Sequence, residues 1–134
     1  MNSKLKNLCA AFILSGLSIS AFADIAVICG PSADPVNKDQ LTNLYLGRSF
    51  ERKLVDLPEG APLRDQFYKK LVDREPTQVK AVWARVVFTG KGQAPLMLPD
   101  ADAVKKAVTT DPKAVGYIDK SQVDGTVKVL MTLN

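Results

Sequence analysis

Glu59-Gly60-Ala61-Pro62-Leu63-Arg64 is the segment of this chain whose residue types and spacing make the strongest case for chemistry. A glycine turn stands between an apolar run, Lys53 to Leu57, and an apolar stripe at spacing four, Leu63, Phe67 and Leu71. The turn should therefore join a strand to a helix opening at Pro62. The first amides of a helix have no partner within it and sit at the positive end of its dipole. Ala61, the residue before the helix, carries no side-chain oxygen to satisfy them. Open N–H groups suit an anion, Gly60 lets the backbone come close to it, and Arg64 adds a planar fork of donors for phosphate or carboxylate. The candidate anion-binding residues are Gly60, Ala61, Leu63 and Arg64. Ser32, in the loop after the first strand, is a further donor, because ligands of open α/β sheets gather beyond the carboxyl ends of strands. The competing reading leaves the helix start to water or Glu59 and pairs Arg64 with Asp65 or Glu59 on the surface.

Other chemistry is poorly supplied. The chain has no histidine, which excludes a His-based triad, a typical zinc site and a histidine pH switch. Ser32, Ser49 and Ser121 follow the N-terminal segment with no base to activate them and no G-x-S-x-G turn. Asp73 with Glu75, and Asp100 with Asp102, stand beside helix starts, where acids stabilise the dipole without any catalytic role. Gly90-Lys91-Gly92 lacks the spacing of a phosphate-cradling P-loop and reads as the end of a helix. The residues point to no enzyme, cofactor or metal.

The elements that must position the turn follow from pattern. Asp24 to Gly30 is a short apolar run closed by Gly-Pro, a buried first strand. Asn37 with Gln40 opens a helix with Leu41, Leu44 and Tyr45 on one face and Gly47 as its stop. Val79, Val82, Trp83 and Val86 mark a helix from about Pro76 to Phe88. Asp100 caps another, carried by Ala103, Val104, Ala107 and Val108 and closed by Asp111-Pro112. Ala114 to Asp119 and Thr126 to Leu133 read as strands, the second alternating with Val127, Val129, Met131 and Leu133 on one face. Gly116, inside the first of these, marks a close backbone approach or a bulge. Strands interspersed with helices predict an α/β fold with a mixed sheet covered by helices.

Lys4 and Lys6 precede an apolar run from Leu8 to Ile19 that ends in Ala21-Phe22-Ala23. This is the pattern of a signal peptide over residues 1–23, with cleavage before Asp24 and export to the periplasm as a protein not embedded in the membrane. Removing 23 of the 134 residues leaves a domain of 111, residues 24–134, with 16 basic and 14 acidic side chains once Lys4 and Lys6 are gone. Its basic residues are dispersed, so nucleic acid is not an expected partner. Cys29 is the one cysteine of that domain, either a small core residue or a thiol that pairs between chains.

Several segments, in order, resemble a known family: Asp24-Ile-Ala-Val-Ile, Leu44-Tyr45-Leu46-Gly47-Arg48, Glu59 through Tyr68, Trp83 through Gly92, and Val115-Gly116-Tyr117-Ile118-Asp119. Together they resemble short, single-domain proteins related to the phosphate-binding subunit of phosphate ABC transporters. The resemblance implies a type 2 periplasmic-binding-protein-like lobe, phosphate or a similar anion as ligand, no enzymatic activity, and an ABC transporter permease among the candidate partners. Full-length members carry a Gly-Ser-Gly-Thr turn preceded by an arginine. Here Gly60 matches the first glycine, Ala61, Pro62 and Leu63 replace the other three, and only Arg64 keeps a basic group. The expected function is solute binding linked to phosphate uptake or sensing. The alternative is a ligand-free interaction module contacting a membrane sensor, a porin or a second copy of itself.

Overall fold

Five consecutive apolar residues make the first strand, β1 (Ile25–Cys29), and all five are fully buried in the computed structural model, which describes residues 23–134. The expected signal segment therefore lies outside the described residues, apart from Ala23. Helix α1 (Lys38–Tyr45), strand β2 (Lys53–Asp56) and helices α2 (Pro62–Val72) and α3 (Pro76–Phe88) come next. Strand β3 (Leu96–Met97), helix α4 (Ala101–Thr110) and strand β4 (Ala114–Asp119) follow, then a 3-10 turn at Lys120–Gln122 and strand β5 (Lys128–Leu133). The five strands form one mixed sheet in the order β3-β2-β4-β1-β5. Strand β2 runs parallel to β3 and β4, whereas β1 runs antiparallel to β4 and β5.

Local signals set the helix limits. Asn37 and Gln40 exchange side-chain to backbone hydrogen bonds in a capping box at the start of α1. Gly47, at φ +69°, ends that helix in a left-handed turn, with its N–H donating to Leu44 and that of Arg48 to Asn43. Pro62 and Pro76 each occupy a helix start, where a missing N–H costs nothing. Asp100 accepts from the Ala103 amide at 2.9 Å.

Helices cover both faces of the sheet, and adjacent residues of β4 show it. Tyr117 stacks flat on Phe67 of α2 with ring centroids 3.7 Å apart, while Gly116 faces α4 on the other side. A Cβ at Gly116 would lie 2.8 Å from Val104 Cγ1 and 3.3 Å from Val55 Cβ, so the expected close approach is there, and helix α4 depends on it. Trp83, nearly buried on α3, donates its indole N–H to the Tyr45 carbonyl at 3.0 Å, and the Tyr45 hydroxyl donates to Val55 O at 2.7 Å.

Two features depart from the sequence reading. Strand β3 has only two residues, too few to display a period, and lies on the edge of the sheet beside β2. In β5 the pairing shifts register, with Val27 opposite Met131 but Ile28 opposite Val129. That bulge breaks the expected alternation: Val129 is exposed while Leu130 and Met131 both pack on the core.

Candidate functional site

The carboxyl end of β2 carries Asp56 into the interior at 2% exposure, and the turn that follows delivers Arg64 onto it. Arg64 Nε lies 3.3 Å from Asp56 Oδ2. The same carboxylate accepts from the hydroxyls of Tyr68, one turn further along α2, and Tyr117, on β4, and from the Leu57 N–H at 2.8 Å. The Arg64 guanidinium also lies over the Tyr68 ring, 5.2 Å from its centroid. Each member has a local reason for being there. Strand alternation puts Asp56 on the α2 side of the sheet while Val55 faces α4, the i, i+4 spacing on α2 stacks Arg64 with Tyr68, and the Phe67–Tyr117 stack fixes the second tyrosine.

Electrostatics reinforce the arrangement. Burial works against the Arg64 charge, but the adjoining Asp56, helped by Tyr68 and Tyr117, more than offsets it and raises its proton affinity. Burial first, then Asp56, pushes the hydroxyls of Tyr68 and Tyr117 far above the ordinary tyrosine range, so both remain donors.

Arg64 is 7% exposed and donates from Nε to Asp56; its guanidinium also comes close enough to the Tyr68 hydroxyl to favour the phenolate, but neither Nη1 nor Nη2 makes a well-formed hydrogen bond among the described residues. Neither is sealed from solvent, and the side chain lines an open cavity of about 460 Å³. Asp56 and Tyr68 share its polar side with Arg64, Glu59 and Lys80 stand at its edge, and Val87, Phe88, Pro95 and Met97 are among its apolar walls. Glu59 and Lys80 satisfy each other at 3.0 Å, and that hydrogen bond is the main reason the Glu59 carboxyl titrates below its usual range.

The structure sorts the residues singled out from sequence. Gly60 has φ +88° and open space where a Cβ would point, and Ala61 caps α2 with no side-chain bond. Leu63 packs against the core, and the Arg64 amide donates to Ala61 O at 3.0 Å, so that N–H is not open as expected. Gly60, Ala61 and Leu63 lie beside the cavity lining, which the turn enters through Glu59 and Arg64. Ser32 is not brought to them. It follows β1, which runs against β2, so the carboxyl ends of the two strands lie at opposite ends of the sheet. The rule that placed Ser32 there requires parallel strands. The partner of Arg64 is also neither Asp65 nor Glu59 but the buried Asp56. An acid inside the apolar run Leu54-Val55-Asp56-Leu57 was the available signal for it.

A wider groove of about 940 Å³ runs past Phe50, Trp83 and β3. Its charges are already engaged. Lys53 meets Asp111 at 3.0 Å, and Arg52 donates from Nε and Nη1 to the carbonyls of Lys113 and Asp34. Arg52 Nη2 is buried without a partner among the described residues and so is not presented to a ligand. No group of three or more Cys, Asp or Glu among the described residues could hold a metal ion, and none of the described helices is long and apolar enough to cross a membrane.

No family model matches the sequence, and no curated protein matches it. Solved structures do. An ABC-type phosphate transport receptor from Vibrio cholerae superposes with a TM-score of 0.63 at 19% identity, over 81% of this chain and 47% of that one. A protein from Clostridium perfringens, described as a phosphate ABC transporter substrate-binding protein and solved with bound phosphate, gives 0.62 at 19% identity, over 81% of this chain and 45% of that one. The chain thus spans a little under half the length of either. At this identity the likeness shows the fold alone: an α/β lobe of the kind found in these two proteins.

Proposed function

We propose that this protein is a periplasmic solute-binding lobe that takes a small oxyanion, with phosphate as the first candidate, on Arg64 at the start of α2, in the service of phosphate uptake or sensing. The observation that carries the reading is an arginine more than nine-tenths buried that lines a cavity and whose Nη groups make no well-formed hydrogen bond to the described residues. Asp56 holds it through Nε, which leaves the outer edge of the fork directed at a ligand. The likeness in fold to phosphate-binding proteins supports phosphate over other anions. Nothing in the cavity activates a nucleophile, so binding without turnover is the activity that we assign. An ABC transporter permease or a membrane sensor would read the loaded state.

A second reading, an interaction module without a small ligand, is favoured by one observation: Val87, Phe88 and Met97 expose large apolar surface at the mouth of the same cavity. Calorimetry of the purified protein against phosphate, sulfate and small carboxylates separates the two. The binding reading expects modest affinity that falls with added salt, a loss of about tenfold or more in Arg64→Ala, and partial recovery in Arg64→Lys, which keeps the charge but not the fork. Equal affinity in wild type and folded Arg64→Ala overturns the site. Absence of binding at millimolar phosphate and low salt, with a stable oligomer in the same buffer, leaves the interaction module.

A further inference from the structure

The space above Arg64 is larger and more apolar than an inorganic ion can use. At about 460 Å³ it falls within the range of pockets that enclose small organic molecules, roughly 300 to 1,000 Å³, which combine apolar walls with a few placed polar groups. The polar inventory leaves room for one anionic group only. Asp56 is occupied by two hydroxyls, an amide and Arg64, and Glu59 is paired with Lys80. What remains for a ligand is the Arg64 guanidinium, whose Nη groups make no well-formed hydrogen bond to the described residues. The walls are unspent as well: Phe88 is 91% exposed, Met97 52% and Val87 51%, and all three line this cavity. A bare phosphate on Arg64 would leave that surface wet.

We propose that the ligand of this site is an organic anion, a phosphate or carboxylate head on an apolar body several carbons long, with the head on Arg64 and the body along Val87, Phe88 and Met97. The assignment rests on the reading of Arg64 as the anion contact and adds the part of the ligand that Arg64 does not touch. Head and body contribute separately. The fork sets the charge and orientation, and each methylene moved from water onto the wall adds about threefold to fourfold in affinity.

The test is a homologous series. Inorganic, methyl, butyl and hexyl phosphate are titrated into the full protein by calorimetry, with hexanoate to vary the head, hexanol to remove it, and vesicles containing phosphatidic acid to present the same chemistry on a membrane. The expected result is an affinity that climbs about threefold per methylene along the phosphates, with hexanoate following, hexanol silent, and the slope flattened in the Phe88→Ser, Met97→Ser double variant. Equal affinities for inorganic and hexyl phosphate overturn the organic-anion assignment and leave the Arg64 site standing. A series that climbs just as steeply in folded Arg64→Gln overturns the Arg64 site instead, since the wall alone is then binding. Recruitment to vesicles with no binding of soluble hexyl phosphate overturns the soluble ligand and places a membrane surface on this face.

Discussion

Asp56 and Asp124 are held by nearly the same set of donors in opposite surroundings. Asp56 accepts from two tyrosine hydroxyls and one backbone N–H and faces a guanidinium, all in the interior. Asp124 accepts from the Thr126 hydroxyl and amide and from the Lys105 ammonium at 3.0 Å, on the surface at the turn before β5. Burial decides which of these contacts carry function. Around Asp124 solvent can replace any donor, so the cluster tidies a turn. Asp56 is only 2% exposed, so solvent replaces a missing partner poorly there, each group is held by the others and Arg64 is kept in one orientation.

Asp56→Ala should be the most damaging single substitution in either cluster. It leaves a buried guanidinium without its counter-charge and two tyrosine hydroxyls without their acceptor, and it should cost about 3–5 kcal/mol of stability. Denaturant unfolding followed by Trp83 fluorescence measures it. The equivalent Asp124→Ala should unfold close to wild type at neutral pH. If the two variants unfold alike, the buried cluster does not hold the fold in the way described.

Tyrosine ionisation is the next test. All three tyrosines of the chain, Tyr45, Tyr68 and Tyr117, are buried, and burial, with Asp56 as the next cause, raises each above its ordinary value of 10.0. The folded state therefore keeps protons that the unfolded chain releases. Its stability from this source is intact below pH 10 and is lost as pH rises beyond it, by about 1.4 kcal/mol per group for each pH unit. Phenolate absorbance should appear late, above pH 10, in one step that coincides with unfolding. Gradual ionisation of one tyrosine in a folded protein would show that it lies outside the buried cluster.

What the sequence revealed and what it concealed follow the same division between local and distant causes. The Asn37–Gln40 box, Pro62, Asp100 and the Trp83 stripe act within a turn or two of chain, and each produced the element expected of it. Arg64 was identifiable because its place in the first turn of a helix is also local. Its partner was not, because Asp56 meets it across a loop and Tyr117 lies 61 residues from Asp56. Strand direction leaves no trace in a five-residue apolar run, so nothing in β1 announced that it opposes β2 and carries Ser32 to the far end of the sheet. The bulge in β5 has the same character: the alternation was present in the sequence, and its interruption depended on the pairing with β1.

Asp124 is expected to give a smaller effect than Asp56 or the tyrosines. Hydrogen bonds from the Thr126 hydroxyl and amide, and then from Lys105, lower the Asp124 carboxyl from its ordinary 3.8 to about 2. A depressed carboxyl stabilises the folded state above its unfolded value and loses that contribution as pH falls through the folded one. The window is therefore about pH 4 down to about 2. Asp111, lowered chiefly by the Lys113 amide, and Glu59, lowered chiefly by Lys80, add a parallel acid sensitivity, so the informative quantity is a difference between proteins. Wild type should be slightly more stable than Asp124→Asn at pH 6, and the two midpoints should converge as pH falls toward 2. Salt should narrow the difference at pH 6, because the Asp124 carboxylate that Lys105 meets is half exposed, whereas the cost of Asp56→Ala should change far less with salt. Urea midpoints for both variants at low and high salt, at pH 6 and near pH 2, measure both trends. A difference between Asp124→Asn and wild type that persists undiminished at pH 2 would show that the Thr126 and Lys105 contacts act through something other than the charge of Asp124.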